Sequence, residues 1–311
     1  MASTASEPPM TYWQAWYRAA RPRTLTATYV PLGAAGVIAL QDGVFNVVLF
    51  ALSLLGALLL QIAANLINEY YDFRRGAEDL KQAGQGMILK RGLLRPREVL
   101  AGAVVTVLGG IAIGLFLLAQ SGPLLFWIGL GGVLVVILYT AGPFPLAYNG
   151  LGELAVGIFM GPLMVLGAYY VLAGQASWTP ILVGIPIGSM CAAILDANNV
   201  RDVDADRAVN KRTLAVLLGQ TAARREYALL VGGAYVLLVV LVLFGVAPWP
   251  VLLVFITAPE ALRLIRVELS STDMTELHRA QGLTARLHGR FGLWLVLGWL
   301  AWLVAQALLS R

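Results

Sequence analysis

The sequence predicts an all-α integral membrane protein, a single domain over residues 1–311 built as a bundle of nine transmembrane helices. Three observations predict it. Of the 311 residues, 59% are hydrophobic and 13% charged, with a mean hydropathy of +0.77. A soluble domain carries roughly 25% charged residues, so this chain lacks the charge to cover a water-facing surface of its length. Apolar runs of about 20 residues, enough to cross a hydrocarbon core, recur along the chain. Lys and Arg alternate between its connections in a way that only an odd number of spans explains.

The apolar runs are 24–40, 46–71, 98–119, 123–141, 151–173, 179–199, 224–245, 248–267 and 290–309. The first contains Pro31, which a kinked helix tolerates inside a bundle where neighbours satisfy the freed backbone groups. QDG at 41–43 ends it. AQSGP at 119–123 divides the third run from the fourth, and GPFPLAYNG at 142–150 the fourth from the fifth. GQASWTP at 174–180 and GVAPWP at 245–250 punctuate the second half. Each is a cluster of Gly, Pro and small polar residues of the kind that breaks helices. The 33 Gly suit close packing of spans.

Of the 22 Lys and Arg, 21 fall in the N-terminal segment and in the connections after the second, sixth and eighth runs. With nine spans all four segments share one face, and Arg311 alone lies opposite. The positive-inside rule makes that face cytoplasmic, with the N-terminus on it and the C-terminus across the membrane, expected to be the cell (inner) membrane. Topology thus accounts for most of the +5 net charge, and no nucleic-acid partner is expected. No obligatory protein partner is expected either. MASTASEPPM has no basic segment leading into an apolar one, so no cleaved signal peptide is expected. One cysteine, Cys191, rules out a disulfide framework and reads as packing. His278 and His288 are ten apart with no third ligand and read as surface residues.

The charge that remains is concentrated. NNVRDVDADRAVNKRT at 198–213 sets Asn198, Asp202 and Asp206 on one helical face, among Arg201, Arg207, Lys211 and Arg212. NLINEYYDFRRGAED at 65–79 answers it: Asn68 and Asp72 share a face, and Glu78 and Asp79 follow Gly76. Both clusters, near 68–97 and 198–225, sit at the cytoplasmic end of an even-numbered span. Two carboxylate sets at matching helix ends favour a hard cation, and Mg²⁺ commonly bridges carboxylates to substrate phosphates. The neighbouring Arg and Lys suit phosphate oxygens. A solvated, salt-bridged loop explains either cluster alone; the pair points to a metal-bridged diphosphate. Gly84 and Gly86 suit either a loop closing over substrate or a plain flexible loop.

These motifs resemble the UbiA superfamily of intramembrane aromatic prenyltransferases. Asn68-Glu69-Tyr70-Tyr71-Asp72 matches its first motif, with Glu69 where Asp is common, and Asp202 and Asp206 match the D-x-x-x-D of its second. Asn210 stands where Gly commonly precedes the lysine; Asn is the next best residue for a left-handed turn. NNVRDVDADRAVNKRTLAVLLG, YTAGPFPLAYNGLGEL at 139–154 and ARPRTL at 20–25 are most similar to the 1,4-dihydroxy-2-naphthoate (MenA) branch.

The resemblance implies a nine-helix fold and an Mg²⁺-dependent transfer of a polyprenyl group from its diphosphate to an aromatic ring. In that branch the acceptor is 1,4-dihydroxy-2-naphthoate, and CO₂ and pyrophosphate are lost. Metal ligands would be Asn68, Asp72, Asp202 and Asp206, with Glu78 or Asp79. Diphosphate contacts would be Arg75, Lys90, Lys211 and Arg212. Tyr139 and Tyr148, with Tyr70 and Tyr71, are candidates to stabilise an allylic cation through their ring faces, and Asn199 is a candidate substrate contact. Glu153 is a candidate to orient or deprotonate the acceptor; its alternative role is a carboxylate at a helix start. Asp196 is a candidate partner for the metal ligands or for Arg201. The competing readings are another branch of the superfamily, with 4-hydroxybenzoate, homogentisate or a chlorophyllide as acceptor, and a secondary transporter. Transporters place polar groups at the bilayer midplane, whereas here the middles of the spans are almost free of charge. The D-x-x-D-G-x-x-A-R pattern of CDP-alcohol phosphotransferases is absent.

Overall fold

The structure is a computed structural model and describes residues 10–77 and 87–310. Among these residues it is helical throughout, with no β-strand. A short amphipathic helix, α1 (Tyr12–Ala19), leads through a left-handed residue, Arg21, into a 3-10 turn over Pro22–Leu25 and then α2 (Thr26–Gln41). The helices that follow are α3 (Val47–Arg74), α4 (Pro96–Ser121) and α5 (Leu124–Leu138). Next come α6 (Gly152–Phe159), α7 (Pro162–Ala173), α8 (Trp178–Ala208), α9 (Leu214–Leu218) and α10 (Gln220–Leu243). A 3-10 segment, Trp249–Thr257, runs into α11 (Ala258–Ser270), and α12 (Met274–Leu309) closes the chain.

Local chemistry sets the ends. Asn46 caps α3 by accepting from the N–H groups of Val48 and Leu49 at 3.0 and 3.1 Å. Pro96, whose missing N–H costs nothing at a helix start, opens α4, and Glu98 reaches back to Arg95 N at 2.7 Å. Asp273 caps α12 through Thr275 N at 2.8 Å. Pro31 of α2 and Pro186 of α8 are each accommodated within a single helix.

Among the described residues, seven helical stretches are long and apolar enough to cross a membrane. The expected fourth and eighth spans take other forms. The fourth is a 15-residue helix, α5, and the eighth divides into the 3-10 segment and α11. The fifth breaks near the middle of the run, between α6 and α7, at Met160 and Gly161. Pro162 removes an N–H there, and backbone packs on backbone. A Cβ on Gly161 would lie 2.4 Å from Gly184 O of α8, and one on Gly184 2.5 Å from Pro162 Cα. Glycine alone permits that approach.

The largest core unites α2, α7, α8, α10 and α12 around Leu32, Ile38, Ile187, Tyr227, Phe291 and Trp299, all with exposures of 1% or less. A second core, with Leu66, Ile88 and Val99, packs α1, α3, α4 and residues 87–94 around the first acidic motif. The two motifs therefore approach each other from separately packed walls.

Candidate active site

A polar cavity of about 200 Å³ lies between these walls. Asn68 and Asp72 from α3 line one side; Asn198, Asn199 and Arg201 from α8, with Lys211, line the other. Tyr139 and Arg21 complete the rim. Below it lies an apolar cavity of about 350 Å³ between α3, α4, α5 and α7. Gln61, Val135, Val136, Phe159 and Met160 line both, so the two adjoin at the level of the α6–α7 break. Leu115, Phe126 and Leu130, which line the apolar cavity, are 58%, 46% and 41% exposed, so it opens on the outer surface of the bundle.

Tyr148 joins the two motifs. The chain 142–150 returns over the cavity, and Tyr148 Oη donates to Asp72 Oδ1 at 2.7 Å. Arg75 lies over the Tyr148 ring at 4.6 Å and Lys211 Nζ at 5.5 Å. Burial, and then the Asp72 carboxylate, push the Tyr148 phenol well above its ordinary pKa, so it remains a donor throughout the working pH range. Arg75 is tied in turn to the carbonyl oxygens of Thr140 (2.5 Å) and Gly142 (3.4 Å). The backbone of Arg212 bonds to Tyr148 O at 3.2 Å and its neighbour Lys211 closes on Asp206 Oδ1 at 3.5 Å. The turn that permits this runs through Asn210 at φ 55°, the left-handed conformation expected where Gly is replaced.

On α8, Arg201 donates to both oxygens of Asp202, at 2.6 and 2.7 Å, and also to Asn198 Oδ1 and His278 Nδ1. Asn199 Nδ2 donates to Glu153 Oε1 at 2.6 Å, which places Glu153 directly behind the cavity wall. Asp202 and Asp206 are buried behind Arg201 and Lys211 rather than on the cavity surface. Asp196 makes no hydrogen bond to Arg201 and is fully buried. Arg212 and Lys90 are exposed side chains outside the cavity lining. Tyr70 and Tyr71 pack on each other edge-on at 5.2 Å, also outside the lining. Glu78, Asp79, Gly84 and Gly86 lie outside the described residues.

Glu69 has a position that its motif did not reveal. Fully buried, it accepts from the backbone N–H groups of Met87, Ile88 and Leu89 at 3.1, 2.5 and 3.2 Å, and from Arg21 at 3.4 Å. It anchors the far end of the connection to the helix that carries Asn68 and Asp72. Arg21, Arg201 and Gln281 also line the cavity; their charge or polarity in an apolar chain was the available signal. His288, expected at the surface, is instead completely buried, with Nε2 3.4 Å from Cys191 Sγ, because α12 packs on α8 at that level.

Among the described residues, no three His, Cys, Asp or Glu side chains stand close enough to hold a metal by themselves. The donor set still suits Mg²⁺. Carboxylate and amide oxygens come from two helices, and Mg²⁺ is usually held by one or two carboxylates while substrate phosphates and water complete the shell.

The chain is similar in sequence and in fold to known proteins. The 1,4-dihydroxy-2-naphthoate octaprenyltransferase of Bacillus subtilis (strain 168) is 34% identical over 286 residues, covering 92% of this chain and 92% of that protein. The enzyme of the same description from Mycobacterium tuberculosis is 37% identical over 250 residues, 80% of this chain and 84% of the relative. A solved structure of a UbiA homologue from Archaeoglobus fulgidus, bound to GPP and Mg²⁺, shares the fold with a TM-score of 0.60 at 14% identity, covering 91% of this chain and 99% of that one. The model of the UbiA prenyltransferase family matches residues 29–288, and the chain belongs to that family.

Proposed function

We propose that this protein transfers a polyprenyl group from polyprenyl diphosphate to 1,4-dihydroxy-2-naphthoate, with loss of CO₂ and pyrophosphate, to give a demethylmenaquinol for menaquinone synthesis. The observation that carries the reading is the adjacency of the two cavities: Asn68 and Asp72 of the first motif and Asn198 of the second line the polar one, Asp202 and Asp206 lie just behind its wall, and the apolar one adjoins it and opens on the outer surface of the bundle. A substrate with a charged head and a long hydrocarbon tail fits that shape. The relatives' activity supports the choice of acceptor.

Asn68, Asp72, Asp202 and Asp206 would hold Mg²⁺, with Glu78 or Asp79 as a further ligand. When bound, Mg²⁺ neutralises the diphosphate and stabilises the charge that grows on the leaving pyrophosphate. Lys211, Arg75 and Arg21 add fixed positive charge at the same end of the cavity. The carbon–oxygen bond breaks, and the ring carbon of the acceptor that bears the carboxylate attacks the allylic cation. Tyr139 presents an aromatic wall to that cation. Glu153, held by Asn199, orients the acceptor from behind the wall. The apolar surroundings keep water from the cation. In this reading both motifs and the N-terminus face the cytoplasm, the C-terminus lies across the cell membrane, and the whole chain acts as one domain.

The test is turnover of purified, detergent-solubilised protein with Mg²⁺, a polyprenyl diphosphate and a panel of aromatic acceptors, with mass spectrometry of the lipid products. A prenylated naphthoquinol lacking the carboxyl group is expected. Asp72→Ala and Asp202→Ala should each lose most turnover, on the order of 10²-fold or more, while still purifying as folded protein. Near-full activity of either at saturating Mg²⁺ would remove the shared metal cradle.

A further inference from the structure

Away from the site, the basic end of the bundle carries a second concentration of charge. Arg263 and Arg266 on α11 stand beside Arg286 and Arg290 on α12. A groove of about 410 Å³ between the two helices is lined by Arg263, Arg286 and Arg290, with Glu260 as its carboxylate. Glu260 is taken up by Arg290, at 2.6 Å. Among the described residues, the guanidinium groups of Arg263, Arg266 and Arg286 have neither a hydrogen-bond nor an ion-pair partner, and all three are exposed.

Their depth is set by α12. Residues 291–309 carry no charge, and at about 1.5 Å per residue they reach about 28 Å, close to the ~30 Å of a hydrocarbon core. Arg290 therefore marks the membrane boundary. The groove also lies above a lipid-facing stripe. Arg286 shares one face of α12 with Leu293, Leu297 and Val304, which are 54%, 41% and 59% exposed. On α11, Arg263 adjoins Leu262, 54% exposed. Arginine forks over an apolar stripe, at headgroup depth, are complementary to a phosphodiester with acyl chains beneath it.

We propose that the α11–α12 groove is a binding site for the headgroup of an anionic phospholipid. The phosphodiester sits between Arg263 and Arg286, and one acyl chain lies along Leu293 and Leu297. The site is distinct from the substrate cavity and binds a bilayer lipid, not a reactant.

The test uses full-length protein in bilayer discs of equal parts phosphatidylglycerol and phosphatidylcholine, followed by native mass spectrometry of the lipids it retains. Wild-type protein is expected to retain phosphatidylglycerol in excess. The Arg263→Gln/Arg286→Gln pair should lose that preference by about five-fold per arginine, and the Arg263→Lys/Arg286→Lys pair, which keeps both charges, should retain most of it. Equal retention of the two lipids by wild-type protein overturns the site whatever the variants do. So does an undiminished preference in the Gln pair. Thermal stabilisation by glycerol phosphate or inorganic phosphate equal to that by phosphatidylglycerol would identify a free-anion site and overturn the lipid assignment.

Discussion

Tyr148 touches the Asp72 carboxylate with its hydroxyl and two cations with its ring faces. Removing the hydroxyl leaves the ring contacts in place, so Tyr148→Phe isolates the hydrogen bond. A hydrogen bond to a charged group contributes about 1.5–3 kcal/mol, and the variant should lose roughly tenfold or more in kcat/KM, with a fall in thermal stability no larger than that one bond accounts for. An unchanged kcat/KM would show that Asp72 is positioned without it. Glu69 makes the opposite prediction. Glu69→Ala strands three backbone N–H groups in a buried setting, each costing about 1–3 kcal/mol. It should lower the unfolding temperature in detergent sharply, and Glu69→Gln, which keeps an acceptor oxygen, should recover part of the loss. Asn210 was readable from sequence because the left-handed region excludes most side chains by local sterics. The partners of Glu69 were not, because the N–H groups that donate to it lie about 20 residues away across a chain reversal.

At the scale of elements, the break between α6 and α7 brings the two cavities together, and glycine contacts with α8 hold it. A Cβ on Gly188 would fall 2.0 Å from Gly157 O, a backbone atom that cannot rotate away. Gly188→Ala should destabilise the protein by at least about 1–3 kcal/mol, as overpacking usually does. Gly232→Ala is the control. Nothing lies within 4 Å of a Cβ there, and the gain in helix propensity, up to about 1 kcal/mol, should leave the unfolding temperature unchanged or raised. Equal losses in both variants would mean that helix packing, not the close approach, sets the sensitivity. Sequence periodicity showed the fifth apolar run as continuous, since Gly-Pro inside a membrane span is compatible with a kink as well as a break.

For the whole molecule, the bias of Lys and Arg to one set of connections predicts sidedness. Cys191 is only 2% exposed, so it leaves the chain nearly silent to thiol reagents. With a membrane-impermeant maleimide, Ser270→Cys should be labelled only from the cytoplasmic side, and Ser310→Cys only from the opposite side. Labelling of both from one side would change the parity of the spans. The expectation holds for irregular spans such as the fourth, fifth and eighth, because the bias depends on which connections share a face and not on the regularity of each helix.

The sequence by itself determined that the chain is a helical membrane protein, which end is basic, and which two acidic motifs lie at that end. Composition and local spacing suffice for those properties: an apolar run must satisfy its own backbone in lipid, and residues four apart share a helical face whatever surrounds them. Only the tertiary structure decided which side chains meet. The pairing of Arg201 with Asp202, the closure of Tyr148 on Asp72, the burial of His288 against Cys191 and the junction of the polar and apolar cavities each depend on distances between helices. Those distances follow from how small and large residues interlock across the whole bundle, and no local stretch of sequence contains them.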